Sequence, residues 1–177
     1  MKNLKYLFIL FFSLNSSFSF GSSHCTSNET IYFTCNSGKN NKTLSLCGSK
    51  NLNTRESYLN YRFGKLNKIE MNFPESKKDS LNQFFYAYYF RAQVDRSEIN
   101  FENKGTKYSL FKYYENEEIP GFPPEPIDES GVSVKPNGGK QIEIKCHGKV
   151  EHRLYELRKF IPCDKENALN LDGCPKK

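Results

Sequence analysis

The sequence has no C-x-x-C pair, no G-x-S-x-G elbow, no H-E-x-x-H motif and no glycine loop of the phosphate-cradling kind. The first absence removes the thioredoxin-like redox pair. The others remove the signatures of serine hydrolases, zincins and P-loop proteins. Lys/Arg-rich runs are also missing. Basic and acidic residues are interleaved, so nothing argues for nucleic acid as a partner. Beyond the first 20 or so residues, no segment is apolar enough for a bilayer span, which needs about 20 consecutive residues. There is no internal repeat.

What is present begins with "MKNLKYLFILFFSLNSSFSFGSS". Lys2 and Lys5 form a basic start, Tyr6 to Leu14 is almost wholly apolar, and small polar residues follow. This is the pattern of a secretory signal peptide over residues 1–21. Ser19 and Gly21 suggest cleavage after Gly21, and Ser17 and Ser19 offer cleavage after Ser19. Cys25 makes a poor lipobox, because bulky His24 precedes it. The mature chain then runs from 22 to 177, a length that usually makes one domain. Losing Lys2 and Lys5 takes the formal charge from +6 to +4. That leaves at most a weak preference for anionic envelope polymers.

All six cysteines, Cys25, Cys35, Cys47, Cys146, Cys163 and Cys174, lie in the mature part. An even count in an exported chain argues for disulfides. Fifteen pairings exist for six cysteines, and sequence alone does not choose among them. Proximity along the chain favours Cys35–Cys47 and Cys146–Cys163, which leaves Cys25–Cys174 to tie the two ends together.

Most of the chain alternates with period two. "ETIYFTC" and "KTLSLC" flank the turn "NSGKNNK" and read as a hairpin. "YLNYRFG" sets Leu59, Tyr61 and Phe63 inward with Asn60 and Arg62 outward. "KIEMNFP" sets Ile69, Met71 and Phe73 against Lys68, Glu70 and Asn72, and Pro74 ends it. "NQFFYAYYFRAQ" is aromatic on both faces and fits a strand covered on both sides. "SEINFENKGTKYSLFKYY" and "GVSVKPNGGKQIEIKC" are two further hairpins. The expected fold is therefore all-β, an antiparallel sandwich or barrel of short strands, stapled by disulfides.

Two segments depart from that pattern. In "GKVEHRLYELRKFIP", Val150, Leu154, Leu157 and Ile161 fall at helical spacing, predicting one short C-terminal amphipathic helix on the sheet. Between Glu115 and Gly131, "ENEEIPGFPPEPIDESG" carries six acids, four prolines and one aromatic, Phe122. This acidic, proline-rich loop over 115–131 is expected to be extended and without sheet partners.

The segment "KCHGKVEHRLYELRKFIPCD" places Cys146 and Cys163 around His147 and His152. A metal site would need thiolates, and exported cysteines are usually oxidised. The two histidines are five apart, on different sides of a helix. The expectation is a staple, with no metal, no cofactor and no catalytic residue assigned. His24, at the start of the mature chain, is expected to fray. The candidate binding residues are Arg91, Arg96, Lys107 and Tyr108, which follow or face the tyrosine strand. Tyrosine beside arginine can stack on sugars or anchor a protein. The bland reading of that segment puts the aromatics in the core and pairs Asp95 with a local arginine.

The runs "ETIYFTC", "LCGS", "YLNYRFG", "FFYAYYFRAQVDRSEINF" and "VEHRLYELRKFIPCD" resemble a group of small exported proteins of Gram-negative bacteria. The likeness spans Glu29 to Asp164 and implies a periplasmic or secreted address without an activity. A fainter resemblance is to inhibitors of c-type lysozyme, small β-barrels with an early strand ending in Cys. They insert a Ser-Gly and a Lys-Tyr or Arg-Tyr element into the enzyme's cleft. "NKGTKYSL" offers Gly105, Lys107 and Tyr108 but lacks the serine.

Three functions are expected to compete. The first is a non-enzymatic binding module of the envelope, with a protein or envelope glycan as partner. The second is an inhibitor of a lysozyme or toxin, which calls for a protruding loop. The third is a hydrolase with a hidden carboxylate or histidine site. Convergent acids in one pocket, or a displaced pKa at His147 or His152, would favour it.

Overall fold

A computed structural model describes residues 22–38, 40–117, 121, 126–170 and 173–175. The proposed signal peptide and the middle of the proline-rich segment, with Phe122 in it, lie outside the described residues.

The chain forms two five-stranded antiparallel sheets. The first holds β1 (Glu29–Asn36), β2 (Thr43–Ser49), β3 (Leu59–Lys65) and β4 (Lys68–Phe73) as a meander. The second is a meander of β5 (Phe85–Arg91), β6 (Val94–Asn103), β7 (Thr106–Glu115), β8 (Ile127–Pro136) and β9 (Ile142–Lys145). The chain then returns as β10 (His147–His152), which pairs with β1 and completes the first sheet. The β6–β7 turn needs left-handed backbone at both central residues, and Lys104 and Gly105 supply it at φ 50° and 74°.

The alternation read in the sequence decides what faces the other sheet. Tyr61 and Phe73 of the first sheet meet Phe101 and Tyr108 of the second. Phe101 stacks on Phe73 at 4.7 Å and on Tyr108 at 4.9 Å, with the edge of Phe84 at 5.3 Å. Such aromatic pairs add about 0.5–1.5 kcal/mol each beyond their area burial. Leu44, Leu46, Leu59, Ile99, Leu110 and Val132 fill the rest of the layer.

The expected C-terminal helix is not what forms. Residues 147–152 are strand β10, and Leu154–Lys159 is a short 3-10 turn. The open edge of β1 offers unpaired backbone groups that this segment satisfies, and that outweighs a helix of four turns or fewer. The helical spacing still carried information. Leu154, Leu157 and Ile161 are all buried in the core. The proline-rich segment is likewise shorter than expected, since Ile127 to Gly131 pair with β7 as part of β8.

All six cysteines are oxidised, but the pairing differs from proximity along the chain. The bridges are Cys25–Cys47, Cys35–Cys146 and Cys163–Cys174. Register explains the error. Cys35 lies opposite Leu44, so Cys47 is three residues along the partner strand, about 10 Å away and on the other face of the sheet. Cys35 instead reaches Cys146, in the connection where the chain crosses from the second sheet to the first. Cys25–Cys47 fastens the N-terminal segment over the outer face of the first sheet. There His24, expected to fray, donates its backbone N–H to Ser45 Oγ at 3.1 Å. Cys163–Cys174 closes a C-terminal tail that protects the edge of β5. Tyr86 N–H donates to Pro162 O at 2.9 Å, Asp164 N–H to Tyr86 O at 2.8 Å, and Tyr88 N–H to Asn170 Oδ1 at 3.1 Å.

Candidate functional site

The second sheet turns one face to the core and leaves the other open. Outward residues on neighbouring strands stand in rows across that open face. One row is short and polar: Asn100 on β6, Ser109 on β7, Ser133 on β8 and Glu143 on β9, with Phe85 at its β5 end. Glu102, Lys107 and Lys135 form the row on one side. On the other side come Ala87, Glu98, Phe111, Gly131 and Lys145. A Cβ on Gly131 would stand 2.3 Å from Ile144 O, so this row has a gap that only glycine permits.

These rows and the C-terminal tail enclose an open groove of about 540 Å³. The tail is fixed to the sheet by side-chain bonds. Asn100 Nδ2–H donates to Asp164 Oδ2 at 2.9 Å, and Asn167 Nδ2–H to Glu98 Oε2 at 2.6 Å. Tyr113 O–H donates to the other Glu98 oxygen. Burial, then this bond and the Glu98 charge, push the Tyr113 phenol well above its ordinary pKa. The hydroxyl therefore stays protonated and remains a donor. Ser109 lines the same groove, and its Oγ is buried without a hydrogen-bond partner.

A second recess, about 590 Å³, opens where the sheets part beside β10. Lys112, inward-facing on β7, pairs with Asp128 there, and His152 lines the same space. Burial lowers the pKa of Lys112, against the opposing pull of Asp95. Burial and then the Lys112 charge lower that of His152, again against Asp95.

The four residues singled out from sequence do not share a surface. Arg91 is exposed at the end of β5 and pairs with Glu117 at 2.5 Å. Arg96 pairs with Glu115 at 2.5 Å and lies over the Tyr113 ring. Lys107 lines the groove, six residues along β7 from Tyr113, which places it about 20 Å from Arg96. Tyr108 points the other way, into the aromatic core. Asp95 faces Lys112 and His152 rather than an arginine. The residues that reasoning missed, Asn100, Ser109, Ser133 and Glu143, are the polar halves of alternating strands. Each is unremarkable alone, and only the register aligns them.

Among the described residues, Cys25, Glu29 and Cys47 are the group close enough together to suggest a metal site. The two sulfurs are bonded to each other, and Arg62 binds both Glu29 oxygens at 2.7 Å, so these atoms are engaged as a structural unit. In comparisons with known proteins, no family model, no curated protein and no solved structure matches this chain.

Proposed function

We propose that this chain is an exported, non-enzymatic binding module of the bacterial envelope, and that it engages its partner, a protein or a glycan, through the open face of its second sheet. The observation that carries this reading is the groove across β5 to β9. It is built on a rigid hydrogen-bonded meander, walled by a disulfide-closed tail and lined with side chains that suit recognition. Three disulfides fit an oxidising compartment. Among the described residues, no helix is long and apolar enough to cross a membrane.

The test is capture of ligands from periplasmic extract by the oxidised mature protein, beside a variant carrying Asn100→Ala, Ser133→Ala and Glu143→Ala. Retention of the same ligand should fall at least tenfold in the triple variant. Substitution of Arg158, on the β5 edge away from the groove, should leave it unchanged. Equal capture by wild type and triple variant would reject the assignment of the site.

Two observations favour the hydrolase as a second reading: Glu98, Glu102, Glu143, Asp164 and Glu166 converge on one groove, and burial lowers the pKa of His152 in the other recess. Two of these carboxylates, Glu98 and Asp164, are held by side-chain donors, which suits anchoring better than proton transfer. Cleavage of an oligosaccharide by wild type and not by Glu143→Gln would decide for the enzyme. The inhibitor reading rests on Lys107 alone of its Lys-Tyr element, because the neighbouring Tyr108 ring is stacked on Phe101. A lysozyme activity assay tests it directly.

A further inference from the structure

We infer that the groove binds a short neutral or amine-bearing oligosaccharide, laid across the strands along the Asn100–Ser109–Ser133–Glu143 row. The inference rests on the binding-module reading and names its ligand.

The row supplies what a sugar needs from a protein. An amide, two hydroxyls and a carboxylate offer both donors and acceptors, and a sugar hydroxyl is both. They recur at the interstrand spacing, so from Asn100 to Glu143 the row spans three spacings, about 14 Å. A linear chain of hydroxyl-bearing rings matches such a ladder, whereas an extended peptide would find no free strand edge on this face to pair with. At the β5 end of the row stands Phe85, 39% exposed, a ring on which the apolar face of a sugar can rest.

Ser109 is the second, independent sign. A buried hydroxyl without a partner costs stability, and such groups are few in folded proteins. This one sits in the middle of the row and lines the groove. A ligand seated on the row, with a small shift of the side chains around Ser109, would supply the partner that this hydroxyl lacks. Charge then selects among sugars. Five carboxylates line the groove against two lysines, Lys107 and Lys135. That balance repels uronic and sialic acids and accepts neutral or amino sugars.

The experiment is calorimetric titration of the oxidised mature protein with chito- and cello-oligosaccharides of rising length, a chitosan oligosaccharide and an oligogalacturonate. Neutral or amine-bearing chains should bind, with affinity rising with length until the row is covered and then levelling off. Oligogalacturonate should not bind. Asn100→Ala and Ser109→Ala should each weaken binding about tenfold. Ser109→Ala should do so with an unchanged or higher melting temperature, because it removes an unsatisfied group. A purely structural serine would show the opposite, lower stability and intact binding. Binding of the acidic chain alone, or binding that both variants leave intact, overturns the inference. If no oligosaccharide binds but a captured protein still depends on the groove row, the glycan assignment falls and the module reading stands. If nothing captured depends on the row either, both fall.

Discussion

Among the described residues, two ionic clusters sit where strand alternation would put ordinary side chains, and they are built to opposite rules. On the outer face of the first sheet, Arg62 holds Glu29 with two bonds of 2.7 Å. Thr26 N–H and Tyr58 O–H donate to the same carboxylate at 2.8 and 2.9 Å, and Arg62 also donates to Asn60 Oδ1 and His24 O. The Glu29 side chain is 1% exposed. Between the sheets beside β10, Lys112 has Asp128 as its ion-pair partner, which is 67% exposed, and His152 borders the recess with its pKa lowered by burial. The first cluster is closed, with its donors and acceptors matched inside protein. The second is open, with charges that solvent can still reach. A closed network fixes a segment in place, here the N-terminal cover of the first sheet. An open one leaves protonation free to respond to the medium.

Breaking the closed cluster should have the largest effect. Arg62→Met leaves Glu29 buried without its counter-charge and should cost about 3–5 kcal/mol of unfolding free energy. Adding Glu29→Gln should recover much of that loss. If the single variant is no worse than the double, the pair is not acting as a buried ion pair. In the open cluster, Lys112→Met should cost less than about 1 kcal/mol, since its partner Asp128 is left in water rather than buried. A chemical denaturation series on the three proteins makes the comparison directly.

The bridge between the sheets should rank beside it. The loop closed by Cys35–Cys146 spans 111 residues, against 22 for Cys25–Cys47 and 11 for Cys163–Cys174. In the chain-entropy model the longest loop gives about 4.7 kcal/mol and the shorter ones nearer 3. Replacing Cys35 and Cys146 by serine should therefore lower stability more than replacing either other pair. Equal losses from all three pairs would show that native packing, not the unfolded chain, sets the value of each bridge.

How much of this was legible beforehand differs between the same two regions. Period-two alternation and turn residues reveal the β1–β2, β6–β7 and β8–β9 hairpins, because both signals are local. Leu59, Tyr61 and Phe73 read as inward and are inward. Arg62 reads as outward, and it is, yet it is buried because the segment fastened by Cys25–Cys47 lies over it. That covering is a tertiary fact with no local mark. The same holds for β10, where helical spacing at Leu154, Leu157 and Ile161 reports correctly which residues enter the core but not the backbone that takes them there. The groove is the clearest case. Asn100, Ser109, Ser133 and Glu143 are separated by up to 43 positions in sequence, and only three strand registers bring them into one line.

Acid should separate the clusters by pH. Burial alone would raise the Glu29 carboxyl, but the bonds from Arg62, Thr26 and Tyr58 outweigh it and hold the pKa at about 2, against 4.5 ordinarily. A depressed carboxylate contributes stability that is full above its unfolded pKa and lost as pH falls through its folded one. The loss should fall between about pH 4.5 and 2 and amount to something on the order of 2 kcal/mol once solvent screening is allowed for. Denaturation at stepped pH should show it, and Glu29→Gln should abolish it. A wild-type curve that stays flat through this window would mean that the carboxylate gains nothing from its partners.

The smallest effect belongs to His152. Its folded pKa lies below its ordinary value of 6.5, through burial first and the Lys112 charge second. The unfolded chain therefore takes up a proton before the folded protein does. Stability should begin to fall as pH drops below 6.5, well before the Glu29 window is reached, and should stop falling once His152 is protonated in both states. The groups facing that ring are Lys112 and Asp95, with Asp128 bound to Lys112. Lys112→Met removes the second cause and leaves the first. An NMR titration of His152 should then move upward but stop short of 6.5, while the Glu29 step is untouched. Full recovery to 6.5 would make the lysine the whole cause. No movement would make burial the whole cause, and the open cluster would then be two unconnected charges sharing one recess.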